Sequence, residues 1–413
     1  MPDDGRNHLD DLRGASRLAA EATKGITDLV EAVHRRITAG PVPSVLPNPL
    51  AGVIGAFAGP VFDSVRGVAS LLGAGLDLAL SRLAQQLASA DPGPQREALL
   101  AALNGVLGDY LAKTQNPLAL EMRLRRAGRP LTLDKASLAA ALPEAARQEA
   151  GGLVVFVHGS SMCDLQWLRG GHDRASDLAA ALGDTALYLH YNSGLHVSDN
   201  GRAFSALLEE LVSGWPGPLG SLRLVGHSMG GLVMRSACHA ATHAGHRWPG
   251  KLRAMVMLGT PHHGAPLERA GNWVDTLLGV SSYSAPFAVL GQLRSAGVTD
   301  LRFGNVREED WQGKNRFLRG EDPRVPLPLP EGVACFAVAG STAHAPSGSL
   351  PGDGLVPVDS ALGRHLLPER TLAFLPAHQW TSLGTNHLDL LDRAEVWEVV
   401  ARWLREGASA SQA

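Results

Sequence analysis

Cysteine is scarce in this chain. There are three in 413 residues (Cys163, Cys238 and Cys335), an odd number with no Cys-x-x-Cys pair. A disulfide framework and a zinc site built on paired cysteines are therefore not expected. Aromatic residues make up only 5%, and the formal net charge is −3. Nucleic acid needs a concentrated basic surface, often interleaved with rings for base stacking, so it is not an expected partner. Long hydrophobic runs are also missing. The uncharged stretch 50–62 is interrupted by Pro60 and followed by Asp63 and Arg66, too short to cross a bilayer. The opening residues Met1-Pro2-Asp3-Asp4 lack the basic and apolar regions of a secretory signal, and a cytoplasmic location is expected. What the chain does have is 45% hydrophobic residues and 47 glycines. That supplies a sizeable core and excludes global disorder.

The periodicity of apolar residues divides the chain. Leu9, Leu12, Ala15, Ala19, Ala22, Ile26, Leu29, Val33 and Ile37 recur in steps of three and four, which predicts an amphipathic helix. Further helical segments are expected at 60–89 and 95–113, the second with Leu99, Leu103, Val106, Leu107 and Tyr110 along one side. Asp91-Pro92-Gly93-Pro94 separates them. Residues 1–116 thus read as an all-helical region without a chemical motif. Within it, the Gly-, Ala- and Leu-rich stretch 50–80 reads as packed helices, or as a candidate for peripheral lipid contact. From residue 117 to 408 the pattern becomes α/β. Leu118–Leu124 and Pro130–Leu133 suggest a hairpin. Short apolar runs at Leu153–Val157, Ala186–His190, Ser221–Val225, Leu252–Leu258, Val333–Ala339 and Leu372–Leu375 then alternate with helical segments near 173–182, 201–213, 229–243 and 388–405. Such alternation predicts βαβ units and a mainly parallel sheet. Residues 265–330 interrupt it with amphipathic pieces that include Trp273. They are expected to form a cap over the C-terminal ends of the strands, where open α/β sheets bind ligands. Residues 409–413 read as a flexible tail.

Gly226-His227-Ser228-Met229-Gly230 is a Gly-x-Ser-x-Gly sequence. The pentapeptide alone is weak, because a chain this rich in glycine meets it by chance. Its setting is stronger: a strand ends at Val225 and a helical pattern begins at Met229. That strand–turn–helix arrangement puts a serine hydroxyl on a strained elbow, with a helix N-terminus directed at developing negative charge. Ser228 is therefore the candidate nucleophile. Acyl transfer also needs N–H donors for an oxyanion. Met229, next after the nucleophile, and Ser160, in the His158-Gly159-Ser160-Ser161 loop after an earlier strand, are the candidates. His158 is expected to hold that loop or line the pocket. Serine needs a base, and the base needs an orienting carboxylate. In chain order, Asp353 between two glycines is the preferred acid, with Asp359 and Asp300 as rivals. His387, just before the final helix, is the preferred base, with His378 as rival. His190, His196, His262 and His263 lie at strand ends where they can line a pocket. None has the His-Glu-x-x-His spacing of a zinc protease.

With those residues in place, the chain resembles the α/β-hydrolase superfamily, in particular its bacterial lipase and esterase branch, over about 118–405. Gly226-His227-Ser228-Met229-Gly230-Gly231 is similar to the lipase elbow. Leu258-Gly259-Thr260-Pro261-His262-His263-Gly264 is similar to a segment of those lipases and of the GPI inositol-deacylase-like group. Asp353-Gly354-Leu355-Val356-Pro357 and Asn386-His387-Leu388-Asp389 resemble the acid and base motifs. The resemblance implies a triad of Ser228, Asp353 and His387, a carboxylic ester of a small molecule or lipid as substrate, and no cofactor. Some relatives of this kind hold calcium near the catalytic histidine. Here Asp389 matches one ligand position, but Arg393 stands where another oxygen ligand would be, so no metal is expected. The same machinery acts on thioesters, amides, lactones and polyesters in other members of the fold. A non-catalytic lipid- or partner-binding protein is the alternative from a different class.

Overall fold

The computed structural model describes residues 94–147, 151–169, 171–265, 295–314, 322, 324–345 and 350–410. The expected helices at 9–37 and 60–89, the stretch 50–80, Trp273 and most of the anticipated cap lie outside these residues.

Among the described residues, eight strands form one sheet. The first two, β1 (Arg123–Arg126) and β2 (Arg129–Pro130), make an antiparallel hairpin. β3 (Gly151–Val157), β6 (Asp184–His190), β7 (Leu219–His227), β8 (Leu252–Leu258), β9 (Ala334–Ser341) and β10 (Gln379–Leu383) are all parallel. The spatial order is β10-β9-β8-β7-β3-β6-β1-β2. A separate two-stranded ribbon pairs β4 (Leu168–Arg169) with β5 (His172–Asp173). The helices are α1 (Pro94–Lys113), α2 (Lys135–Ala141), α3 (Pro143–Arg147), α4 (Arg174–Leu182), α5 (Val197–Gly214), α6 (Met229–Ala244), α7 (Ala296–Asp300), α8 (Val358–Ala361) and α9 (Ala394–Ala410). This is a mainly parallel sheet covered by helices on both faces.

Side-chain alternation explains the two layers. In β3, Leu153, Val155 and Val157 enter a core shared with α1, α5 and α6, through residues such as Leu103, Phe204 and Val233. Val154 and Phe156 enter a second core with α4 and α9, through Leu178, Trp397 and Trp403. Successive residues of a strand point to opposite faces, so a strand buried on both reads as a continuous apolar run. Phe156 anchors the second core, with its ring 5.3 Å from Trp167 and 5.4 Å from Tyr188.

Three elements differ from the sequence reading. The hairpin turns at Ala127-Gly128, both with positive φ (49° and 72°), within the expected stretch, but its first strand starts at Arg123 rather than Leu118. Leu118 and Leu120 instead run beside α1, where the Asn104 amide donates to the Leu118 carbonyl at 2.8 Å and its oxygen accepts from Leu120 N–H at 2.9 Å. Leu372–Leu375 is not a strand. Leu372 and Phe374 are buried in the first core, but the ladder partner of β9 is Gln379–Leu383. Finally, α1 is not apolar on one side only. Every residue from Ala101 to Gly108 is buried, as in a helix enclosed within a core. Among the described residues, no helix is long and apolar enough to cross a membrane.

Candidate active site

Parallel strands deliver their following loops to one edge. β3, β7, β8, β9 and β10 all end there, and each is followed by a segment of the site. β7 ends at His227, and Ser228 turns the chain into α6 with φ 55° and ψ −124°. A non-glycine residue in that region is strained, and such strain persists only where the surroundings impose it. They do so here. Ser228 N–H donates to the Leu258 carbonyl at 2.8 Å, and its own carbonyl accepts from Gly231 N–H at 3.1 Å. The two elbow glycines serve different ends. A Cβ at Gly226 would come within 2.8 Å of the Gly230 carbonyl carbon, across the turn. One at Gly230 would come within 2.7 Å of the His158 carbonyl oxygen, so that glycine lets α6 seat against the end of β3. Ser228 Oγ is buried and makes no hydrogen bond among the described residues.

The loop after β3 lies against this serine. A Cβ on Gly159 would be 3.0 Å from Ser228 Cβ, so the backbone of the loop passes directly beside the nucleophile candidate. Ser160, the next residue, is buried. Met229 N–H is at the first position of α6 and has no partner within the helix. His158 is held within its own loop and against the turn that follows β6. Its Nδ1–H donates to the Gly159 carbonyl at 2.8 Å, and its ring stacks on Tyr191 with centroids 4.3 Å apart. The Tyr191 hydroxyl donates to the His158 carbonyl at 2.8 Å. Burial pulls the His158 pKa down to about 3, so it is neutral.

Asp353 and His387 meet. His387 Nδ1–H donates to Asp353 Oδ2 at 2.7 Å, and His387 N–H donates to the Asp353 carbonyl at 2.9 Å. The other carboxylate oxygen accepts from Leu355 and Val356 N–H at 2.9 and 2.8 Å, which fixes its orientation. Both side chains are almost fully buried. Gly259, just after β8, lies beneath them: a Cβ there would be 3.2 Å from both Asp353 Oδ2 and His387 Cε1. His227, adjacent to Ser228, ties the two halves together. Its Nε2–H donates to the His387 carbonyl at 2.9 Å, and the two rings lie 4.6 Å apart. Nothing in the sequence marked His227 for this part, because the motif leaves its position unspecified.

The rivals are elsewhere. Asp359 is exposed on α8 beside Arg364. Asp300 is buried between Val197 N–H (2.8 Å) and His196 (3.0 Å), whose ring stacks on Trp311. His378 precedes β10 instead of following a strand, and its Nδ1–H donates to the Cys335 carbonyl at 3.2 Å, near the start of β9 and so at the far end of the sheet. His262 lies against Arg235, two turns into α6, with Nη1 and Nδ1 3.4 Å apart. It lines a cavity of about 30 Å³, room for one water, with Arg324 and Arg370. Arg393 donates to the Leu383 and Gly384 carbonyls at 3.2 and 2.6 Å. Among the described residues, no group of three or more His, Cys, Asp or Glu side chains is arranged to hold a metal ion.

A serine on a strained strand–helix elbow, at the C-terminal edge of a mainly parallel sheet with helices on both faces, defines the class of the α/β-hydrolase fold. Residues 122–301 match the model of a domain of unknown function, DUF7379. No curated protein matches the chain. Among solved structures, the chain is similar to the mature form of the Bacillus licheniformis lipase BlEst2, with 20% identity, 69% of this chain and 98% of that one covered, and a TM-score of 0.40. It is similar to a Pyrococcus furiosus esterase at 13% identity, covering 62% and 82%, with a TM-score of 0.38. The NocB thioesterase domain, in covalent complex with a fluorophosphonate nocardicin G analogue, is 16% identical over 64% and 97%, with a TM-score of 0.36.

Proposed function

We propose that the protein is a serine hydrolase of carboxylic esters, with Ser228 as nucleophile, His387 as base and Asp353 as the carboxylate that orients it. The observation that carries this reading is the strained backbone of Ser228, held at the sheet edge where the buried His387–Asp353 pair also lies. Strain of this kind costs stability and is retained where chemistry uses it.

The reaction follows in two halves. His387 takes the Ser228 proton as Oγ bonds to the ester carbonyl carbon. The carbonyl oxygen becomes an oxyanion, met by the N–H groups of Met229 and Ser160. Collapse breaks the bond to the alcohol oxygen, which leaves with the proton from His387. Water, deprotonated by His387, then attacks the acyl-enzyme, releasing the acid and returning the proton to Ser228. Asp353 stays ionised and stabilises the imidazolium. Ser228 Oγ makes no hydrogen bond among the described residues, and the proton transfer to His387 requires that bond to form as substrate binds.

The test is turnover of p-nitrophenyl esters from acetate to palmitate, with fluorophosphonate labelling alongside. Wild type is expected to hydrolyse part of the series and to label. Ser228→Ala is expected to do neither. Equal turnover in that variant would overturn the assignment. The series also reads acyl-chain preference, and a parallel thioester and amide panel reads the bond.

A further inference from the structure

We propose that α1 positions the oxyanion loop, through Gly105 and through the segment 192–194 that it carries, and so belongs to the acyl-transfer machinery. The proposal rests on the hydrolase reading above, and it assigns a role to a helix that bears no catalytic motif.

The loop after β3 is a demanding structure. Gly159 presses on Ser228, Ser160 is buried, and Ser161 adopts a left-handed φ of 60° without being a glycine. Something must hold Ser161 there. Two restraints do. Its N–H donates to Ser193 Oγ at 2.9 Å. Its outer face lies on the backbone of α1 at Gly105, where an added Cβ would fall 2.7 Å from both Ser161 Cα and Ser161 Cβ and would overlap its hydroxyl. The Ser161 hydroxyl is the closest group, but Ser161 Cβ and the backbone Cα lie within 2.7 Å as well, so rotating the hydroxyl alone does not make room for an added methyl.

The first restraint also leads to α1. Ser193 sits in the turn after β6, and that turn is fastened to the same helix face one turn further on. The Asn192 amide donates to the Gly108 carbonyl at 3.0 Å, and a Cβ on Gly194 would fall 2.7 Å from Gly108 N. The residues that lead into α7 dock there as well. Ser295 hydroxyl donates to the Gly105 carbonyl at 2.7 Å, and Ala296 N–H donates to Asp109 at 3.0 Å. One face of α1, from Gly105 to Asp109, thus clamps the oxyanion loop, the turn that holds it, and the start of α7.

A methyl at Gly105 pushes Ser161 away from α1 and with it shifts the Ser160 N–H from the position that meets the oxyanion. Such a displacement weakens transition-state binding more than ground-state binding, so it lowers kcat rather than raising KM. Complete loss of one oxyanion donor costs about 100- to 1000-fold in kcat, and a displaced donor should cost part of that.

The experiment uses the full chain, with active sites titrated by fluorophosphonate. Gly105→Ala is expected to lower kcat for a p-nitrophenyl ester by about tenfold or more, with KM within about twofold of wild type. The inhibition constant of a trifluoromethyl ketone, which mimics the tetrahedral intermediate, should rise in step with the loss of kcat. Adding Ser161→Gly, which removes the overlapping side chain and suits the positive φ, should recover part of that loss. Ser193→Ala removes the other restraint, should show the same split, and decides the matter if Gly105→Ala does not fold. Unchanged kcat per titrated site in folded Gly105→Ala, or in Ser193→Ala if the first variant does not fold, overturns the proposal. A wild type that neither turns over esters nor labels overturns the hydrolase reading itself.

Discussion

Asp353 spends all its visible bonding capacity on orientation. One oxygen accepts two backbone N–H groups and the other accepts from His387. Replacing it with asparagine keeps the shape but puts an amide where His387 Nδ1–H needs an acceptor, favouring the wrong tautomer. Asp353→Asn is therefore expected to lower kcat by about 10⁴-fold with little change in the unfolding midpoint. Steady-state kinetics beside circular dichroism check this, and retention of near-wild-type kcat would remove Asp353 from the mechanism. Much of this residue-level picture was legible in the sequence, because chain order restricts which acid and base can follow a given elbow. His262 was not. It lies in the run 258–264 that follows β8, yet its ring meets Arg235 and Phe374, a consequence of where α6 runs after the elbow. His227 was missed for the opposite reason, since its role depends on a carbonyl 160 residues away in the chain.

At the scale of elements, α1 carries the largest share of what was unforeseen. Leu103 is fully buried in the core that includes β3, α5 and α6. Leu103→Ala should cost about 2–5 kcal/mol, read as a lower urea midpoint at unchanged slope. A loss below 0.5 kcal/mol would mean that α1 is not packed as described. An ionic cluster adds to the attachment. Arg125 of β1 bonds Glu97 of α1 at 2.7 Å and lies 3.3 Å from the buried Asp164. Hydrophobic periodicity reported that 95–113 is a helix but not what it packs against. The error at Leu372–Leu375 is of the same kind: burial makes both a strand and a core-facing loop apolar, and only the ladder with β9 identifies β10.

For the whole molecule, the buried histidines set how stability responds to pH. His158, His227 and His262 are all fully enclosed, and burial lowers each pKa below the ordinary 6.5, to about 3 for His158. Above 6.5 the folded and unfolded chains hold the same protons at these sites. Below it the unfolded chain charges while the fold cannot, so stability falls as pH drops, by up to about 1.4 kcal/mol per unit for each residue. Melting temperature should be level above pH 7 and decline from 6.5 downward, before most carboxylates titrate. A flat profile from pH 7.5 to 5.5 would contradict this.

Local period, turn chemistry and chain order were enough to read the alternation of strand and helix, the parallel sheet and the elbow at Ser228, and to rank Asp353 and His387 first among the candidate acids and bases. The tertiary structure alone decided that α1 lies beside the oxyanion loop, that His227 holds His387, and that His262 and His378 stand apart. These depend on contacts between segments distant in sequence, which side-chain pattern does not encode.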